Sequence, residues 1–233
     1  MKNKVLIIDD DASSAKLLAF EMKKVDLVVD VVADGEAGLE LALTSKYDLI
    51  VMDIMLPKVD GLSICRQLRD QGVETYITIL STRADEFDRI LGLEAGADDY
   101  MAKPFSTREV MAKVKAVIQR RKKGTSGYQS TLGESRLSYK DLVVDLERFE
   151  VKIAGDLLAL TLKEYELLIF MIRNKGRVLS REILLDNLWG LSFHGGTRVV
   201  DVQMCKLRDK LTPYKVMVKT IRGVGYLLEH EEG

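Results

Sequence analysis

The sequence predicts a doubly wound α/β domain with a five-stranded parallel sheet, followed by a smaller α+β domain of helices and hairpins. Three observations carry this expectation. In the first half, five short apolar or β-branched runs (4–9, 27–32, 48–53, 76–81 and 98–103) alternate with amphipathic stretches such as 13–24 and 35–46. The segment RRKKGTSGYQSTLGES at 120–135 is charged, then rich in Gly, Ser and Thr, with no apolar periodicity. Beyond it the chain changes to short alternating runs and helical stripes.

Composition bounds what the chain can be. It has 233 residues, 47% hydrophobic and 30% charged, which suits a globular protein with real cores. No apolar run approaches the roughly 20 residues needed to cross a bilayer, so no membrane association is expected. The opening MKNKVLIIDD has too short an apolar stretch for a signal peptide before it meets acids. Cys65 and Cys205 stand far apart and His194 and His230 are the only histidines, which argues against a disulfide framework or a zinc site. A reducing, cytoplasmic setting is expected. Residues 1–120 hold 16 Lys and Arg against 21 Asp and Glu, a net −5, while 121–233 hold 19 against 15, a net +4. An acidic half joined to a basic half predicts two domains with different partners. The expected division is 1–120, a linker at 121–135, and 136–233.

Strand, helix and strand recurring in order imply parallel pairing with helices on both faces, and near-continuous apolar strands fit a sheet buried on both sides. Ligands of such sheets bind beyond the carboxyl ends of the strands, where the winding reverses. The first strand ends in Asp9 and Asp10, the third in Asp53, the fourth in Ser81 and Thr82, and the fifth runs into Lys103 and Pro104. With strands one, three, four and five as neighbours, these groups converge on one edge. Asp53 would be costly in an apolar strand without a partner; here it sits at the rim of a polar pocket. Clustered carboxylates suit a hard divalent cation, Mg²⁺ above all. An Asp attacking phosphorus gives an acyl phosphate, and Lys103 with the Ser81 hydroxyl would hold the new phosphoryl oxygens.

The motifs VLIIDDD, DLIVMDIMLPKVDG, ITILSTRAD and GADDYMAKPF resemble the receiver domain of two-component response regulators, whose fold is flavodoxin-like. The resemblance implies that Asp53 is the phosphoacceptor. It implies that Asp9, Asp10, Asp53 and the Met55 carbonyl hold Mg²⁺, that Ser81 and Tyr100 are the switch pair, and that Lys103 binds the phosphate. Thr82 departs from the small residue, usually Ala, of the family.

The second half is read in order as well. Residues 142–161 alternate and contain Gly155-Asp156, which predicts a small antiparallel meander or hairpin. In TLKEYELLIFMIRNKG, Thr161 precedes Glu164 by three residues, a capping-box pattern, and Gly176 supplies a stop. SREILLDNLWG repeats the device with Ser180 as cap, a stripe through Ile183, Leu184 and Leu188, and Trp189 toward the core. The helix at 197–211 has Val199, Val202 and Leu207 on or near one stripe, and a last hairpin spans 216–228. Residues 196–222 hold seven Lys or Arg against Asp201 and Asp209. A basic helix followed by a basic hairpin suits DNA, since a helix fits the major groove and a hairpin reaches phosphate or the minor groove.

LTLKEYELL, VLSREILLDNLWG, RVVDVQMCKLRDKL and VKTIRGVGYLL resemble the winged helix-turn-helix effector domain of the OmpR/PhoB subfamily. The resemblance makes 197–211 the recognition helix and 216–228 the wing. It offers Arg198, Lys206 and Arg208 as DNA contacts, Gln203 as a base reader, and Thr220 and Arg222 as wing contacts. Cys205 stands where the family often has a polar or basic residue. The resemblance further implies a sensor histidine kinase as phosphodonor and promoter DNA with direct-repeat half-sites, with RNA polymerase among the candidate partners. It implies a homodimer through the face at 85–120, for which Arg89, Asp98, Asp99, Glu109, Lys113 and Arg120 are the candidate charges. The chain is then no enzyme beyond its own Mg²⁺-dependent phosphorylation and dephosphorylation. Three other readings differ in testable ways. An aspartyl-phosphate hydrolase usually wants a second acid where Met55 stands, and a nucleotide-binding module wants glycines where IIDDDASS offers acids. A regulator that is never phosphorylated is the third.

Overall fold

The computed structural model of the chain describes residues 2–82, 85–123, 135–190, 196–214 and 216–230. The chain divides into two compact units, Met1–Lys122 and Lys123–Gly233.

In the first unit β1 (Lys4–Ile8), β2 (Val28–Val32), β3 (Leu49–Asp53), β4 (Tyr76–Ser81) and β5 (Asp99–Ala102) form one sheet. Its order is β2-β1-β3-β4-β5 and every pairing is parallel. The winding reverses at β1, so the carboxyl ends of β1 and β3 flank the crevice that such sheets use for ligands. Every residue of β3 and of β4 is buried, as expected of inner strands covered on both faces. The covering helices are α1 (Ala12–Lys23), α2 (Gly35–Thr44), α3 (Gly61–Asp70), α4 (Glu86–Ala95) and α5 (Thr107–Lys123). Asp11, Asp34, Asp60 and Asp85 cap α1 to α4, each side chain accepting a backbone N–H of the first turn. The chain thus spends an acid at each of these strand-to-helix turns, separate from the acids of the pocket. Close approach fixes two further turns. A Cβ on Gly35 would lie 1.8 Å from the Val59 carbonyl oxygen, and one on Gly61 would lie 2.4 Å from that of Asp53.

The second unit opens with an antiparallel meander of β6 (Arg136–Tyr139), β7 (Leu142–Asp145), β8 (Glu150–Ile153) and β9 (Asp156–Leu158). The sequence places this meander at 142–161; β6 adds a strand ahead of it. Ala154 and Gly155 take φ of 52° and 94°, the left-handed pair that a tight hairpin needs. Helix α6 (Leu162–Arg173) carries the capping box of Thr161 and Glu164 and is buried from Lys163 through Ile172. A two-residue strand, β10 (Leu179–Ser180), leads into α7 (Arg181–Leu188), then α8 (Arg198–Leu211) and the hairpin β11 (Val216–Ile221) and β12 (Gly225–His230). β10 joins the edge of that hairpin in the order β10-β12-β11. The core takes Leu184 and Leu188 from α7, and Val199, Val200, Met204, Leu207 and Leu211 from α8. Two positions of the expected stripes differ: Ile183 is exposed and Val202 only half-buried. Among the described residues no helix is long and apolar enough to cross a membrane.

Candidate functional site

Four strand ends build the acidic pocket of the first unit. Asp9 follows β1, Asp53 closes β3, Ser81 closes β4, and Lys103 follows β5. Asp9 and Asp53 are buried while Asp10 faces solvent. One carboxylate oxygen from each of the three lies within 4.8 Å of the others. Like charges this close need a cation, and Lys103 supplies one: its Nζ lies 3.0 Å from Asp9 Oδ2 and also donates to Asp53 Oδ2. Burial works against the Lys103 charge, but the bonds to Asp53 and Asp9 outweigh it and raise the ammonium's pKa. Backbone amides fix the carboxylates from below, Asp11 N–H donating to Asp9 at 3.0 Å and Met55 N–H to Asp53 at 2.9 Å. Three oxygen ligands on one open rim match the donor set of a hard cation.

Ser81 is fully buried, and Tyr100 is turned into the same core, 3% exposed. Burial lifts the Tyr100 pKa above its usual value, against a side-chain hydrogen bond to Ser81. Thr82 points to solvent. Two features escaped the sequence reading. Gly61, the first residue of α3, carries the close approach to the Asp53 carbonyl. Lys58, at φ 68°, reaches Asp34 and Glu36 at 3.2 Å each and ties the loop after Asp53 to the start of α2.

The charges expected on the 85–120 face do not all lie there. Asp98 is 1% exposed and points the other way, bound to Arg69 at 2.8 Å and to the Ile77 N–H at 2.9 Å. Asp98 lies in the bend just before β5, where Arg69 and the Ile77 N–H hold it away from Asp99's partner Lys113. Asp99 does take Lys113, at 2.6 Å, but within the same chain. Arg89 is half-buried and Glu109 exposed, while the side chain of Arg120 lies outside the described residues.

In the second unit, Arg198, Thr220 and Arg222 are exposed and Lys206 and Arg208 half-buried. Gln203 is not available to a base edge. It is 2% exposed because it falls on the inward stripe with Val199, Val200, Met204 and Leu207. Arg208 Nε donates to the Val218 carbonyl at 2.9 Å and its Nη2 to Thr220 Oγ1 at 2.7 Å, bracing hairpin against helix.

A lysine-bridged carboxylate cluster at a sheet's carboxyl edge, joined to a helix and basic hairpin, defines a class: a signal-receiving domain coupled to a DNA-binding one. Comparison with known proteins agrees. Residues 5–115 match the response regulator receiver domain, and 155–228 match the C-terminal domain of transcriptional regulatory proteins. The alkaline phosphatase synthesis transcriptional regulatory protein PhoP of Bacillus subtilis is 44% identical, with 98% of each chain covered. The response regulator ArlR of Staphylococcus aureus (strain Mu50) is 37% identical over 96% of this chain and 98% of its own. Among solved structures, a RitR mutant superposes with TM-score 0.72 at 28% identity, covering 98% of this chain and 100% of that one. DrrB of Thermotoga maritima, described as an OmpR/PhoB homolog, gives 0.51 at 30% identity, covering 98% and 99%. The chain belongs to the two-component response regulators of the OmpR/PhoB type, which control transcription in response to phosphorylation. A receiver domain implies a sensor kinase as partner, and the effector domain implies DNA.

Proposed function

We propose that this protein, in the cytoplasm, accepts on Asp53 a phosphoryl group from the phosphohistidine of a sensor histidine kinase, and that the resulting acyl phosphate controls promoter binding. One observation carries the reading: the Lys103 ammonium spans Asp53 and Asp9 at the carboxyl edge of the sheet. An Asp53 oxygen forms the new O–P bond as the donor's P–N bond breaks and the histidine departs. Asp9, Asp10, Asp53 and the Met55 carbonyl are the residues that would hold Mg²⁺. When bound, the ion offsets carboxylate and phosphoryl charge. Lys103, held charged, turns from Asp53 to the phosphoryl oxygens, with Ser81 and Thr82 as hydroxyl donors beside it. Hydrolysis of the same acyl phosphate resets the protein, which has no other substrate. Tyr100 accompanies Ser81 and so couples the pocket to the face at 85–120.

That face, lined by Arg89, Glu109 and the Asp99–Lys113 pair, forms the dimer of the phosphorylated protein. A solvent-facing pair such as Arg89 with Glu109 across the dimer contributes only about 0–1 kcal/mol, so it sets register rather than strength, while the buried Asp99 holds Lys113 within its own chain. Residues 121–135 link the two domains. In the dimer, α8 enters the major groove with Arg198 and Lys206, and Arg222 at the hairpin turn touches the backbone. Two copies then read direct-repeat half-sites roughly one helical turn apart, beside RNA polymerase. The test is Mg²⁺-dependent labelling with acetyl phosphate, followed by mass spectrometry. The wild type should gain about 80 Da, one PO₃H group, and Asp53→Asn should not. No gain in the wild type overturns the reading.

A further inference from the structure

The recognition helix carries an acid where DNA would not want one. Asp201 sits in the first turn of α8, three residues beyond Arg198, with a side chain 39% exposed. A carboxylate beside Arg198 would repel the phosphates that Arg198 is proposed to contact. Its oxygen is committed, however. Asp201 Oδ1 accepts from Arg181 Nε at 2.7 Å and from the Tyr226 hydroxyl at 2.6 Å, and the Arg181 guanidinium lies 5.0 Å over the Tyr226 ring. These residues come from three elements: the first residue of α7, the first turn of α8, and β12.

Tyr226 links the cluster to the hairpin's own geometry. It is 4% exposed, and it stands in register with Thr220 on β11 and with Leu179 on β10. Thr220 is also the residue that Arg208 grips from the far part of α8. The hairpin is therefore tied to the helix twice, at Asp201 and at Arg208. The two ties lie seven positions apart on the helix, about 10 Å along the axis. One tie would leave a pivot; two fix an angle. Charge-assisted bonds of this kind are the strong ones, and both at Asp201 are short. Burial first, then the bond to Asp201, raises the Tyr226 hydroxyl to about 12, so it stays a donor throughout the working pH range.

We propose that Asp201 is a positioning residue for sequence recognition: by holding Arg181 and Tyr226 on one oxygen, it fixes the recognition helix and the wing in a single register on the duplex. Base edges read by the helix then fall a set distance from the backbone touched by the wing. Sequence selectivity, rather than bulk attraction to DNA, is what this geometry protects. The inference rests on α8 and the β11–β12 hairpin being the DNA-reading surface.

The test uses the full-length protein treated with acetyl phosphate and Mg²⁺. A library of randomised duplexes is selected with the wild type. The winning duplex and a scrambled duplex of the same composition then serve as probes in fluorescence anisotropy. Tyr226→Phe is the decisive variant, because the lost hydroxyl belongs to a buried residue and acts on the DNA-facing elements through the Asp201–Arg181 cluster. The winning-to-scrambled affinity ratio should fall about tenfold or more in Asp201→Ala, the size of one misread base pair, and fall in the same direction in Tyr226→Phe. Asp201→Asn keeps the acceptor oxygen and should keep most of the ratio. Thermal unfolding without DNA separates lost selectivity from lost folding. An unchanged ratio in Tyr226→Phe, or equal gains on both probes in Asp201→Ala, overturns the inference. If the wild type enriches no duplex at all, the DNA-binding reading fails instead.

Discussion

Replacing Lys103 by Met should leave the receiver domain short of a cation that only a bound metal can replace. The ammonium bridges Asp9 and Asp53, whose side chains are 1% and 10% exposed. Removing one partner from a fully buried pair costs about 3–5 kcal/mol, because the other charge is left uncompensated. The pocket opens to water at Asp10, so a discounted loss of about 2–4 kcal/mol is expected. For a domain of this size that lowers the melting temperature by roughly 10 °C. Divalent cation should compensate. An ion at a hundred times its dissociation constant stabilises by about 2.7 kcal/mol, and with the competing ammonium gone it should bind the variant more tightly than the wild type. Calorimetry of the full chain in EDTA and then in Mg²⁺ measures both quantities. The account expects a large loss in EDTA, and a larger Mg²⁺-dependent rise in Lys103→Met than in the wild type. Equal stability in EDTA, or an equal Mg²⁺ effect on both proteins, would refute the reasoning.

Gly61→Ala places a Cβ 2.4 Å from the Asp53 carbonyl oxygen, so the turn must shift. A loss of about 1–3 kcal/mol should accompany slower acetyl phosphate labelling, and labelling at the wild-type rate would contradict the close approach. Asp98→Ala removes a buried carboxylate shared by the half-buried Arg69 and the Ile77 N–H, and urea unfolding should report a loss of about 2–4 kcal/mol, less than for a fully buried pair. Glu109→Ala, on the exposed face, should stay within about 0.5 kcal/mol of wild type. Because Tyr226 titrates near 12 when folded and near 10 when unfolded, its contribution to stability is complete below about pH 10. It should be lost as pH rises through 12. Ultraviolet titration should find Tyr226 late, alongside Tyr165, and Asp201→Ala should bring the Tyr226 midpoint down only in part, because burial is the larger cause.

The pocket was legible because parallel sheets gather strand ends, and here the ends carry Asp9, Asp53, Ser81 and Lys103 in order. What the sequence could not resolve was orientation within adjacent pairs. Asp98 and Asp99 look alike as letters, but one turns to Arg69 and the other to Lys113. Gln203 is polar and lies among basic residues, so it reads as a DNA contact. The helical stripe through Val199, Val200, Met204 and Leu207 claims its position all the same. The strand β10 has two residues, too few for any alternation to register, and it exists because Gly225 lets the backbone of β12 come close. A Cβ there would meet the Leu179 carbonyl at 1.9 Å. The Arg181, Asp201 and Tyr226 cluster spans 45 positions of sequence, and nothing local signals it.

The central claim is that phosphate on one carboxylate governs DNA binding by another domain. The direct measurement is affinity for the selected duplex, with and without acetyl phosphate, in the wild type and in Asp53→Asn. The account predicts that phosphodonor and Mg²⁺ tighten binding by the wild type about tenfold or more, the size of a typical coupling between sites, and leave Asp53→Asn unmoved. Equal tightening in both proteins, or labelled wild type that binds no better than unlabelled, would contradict it.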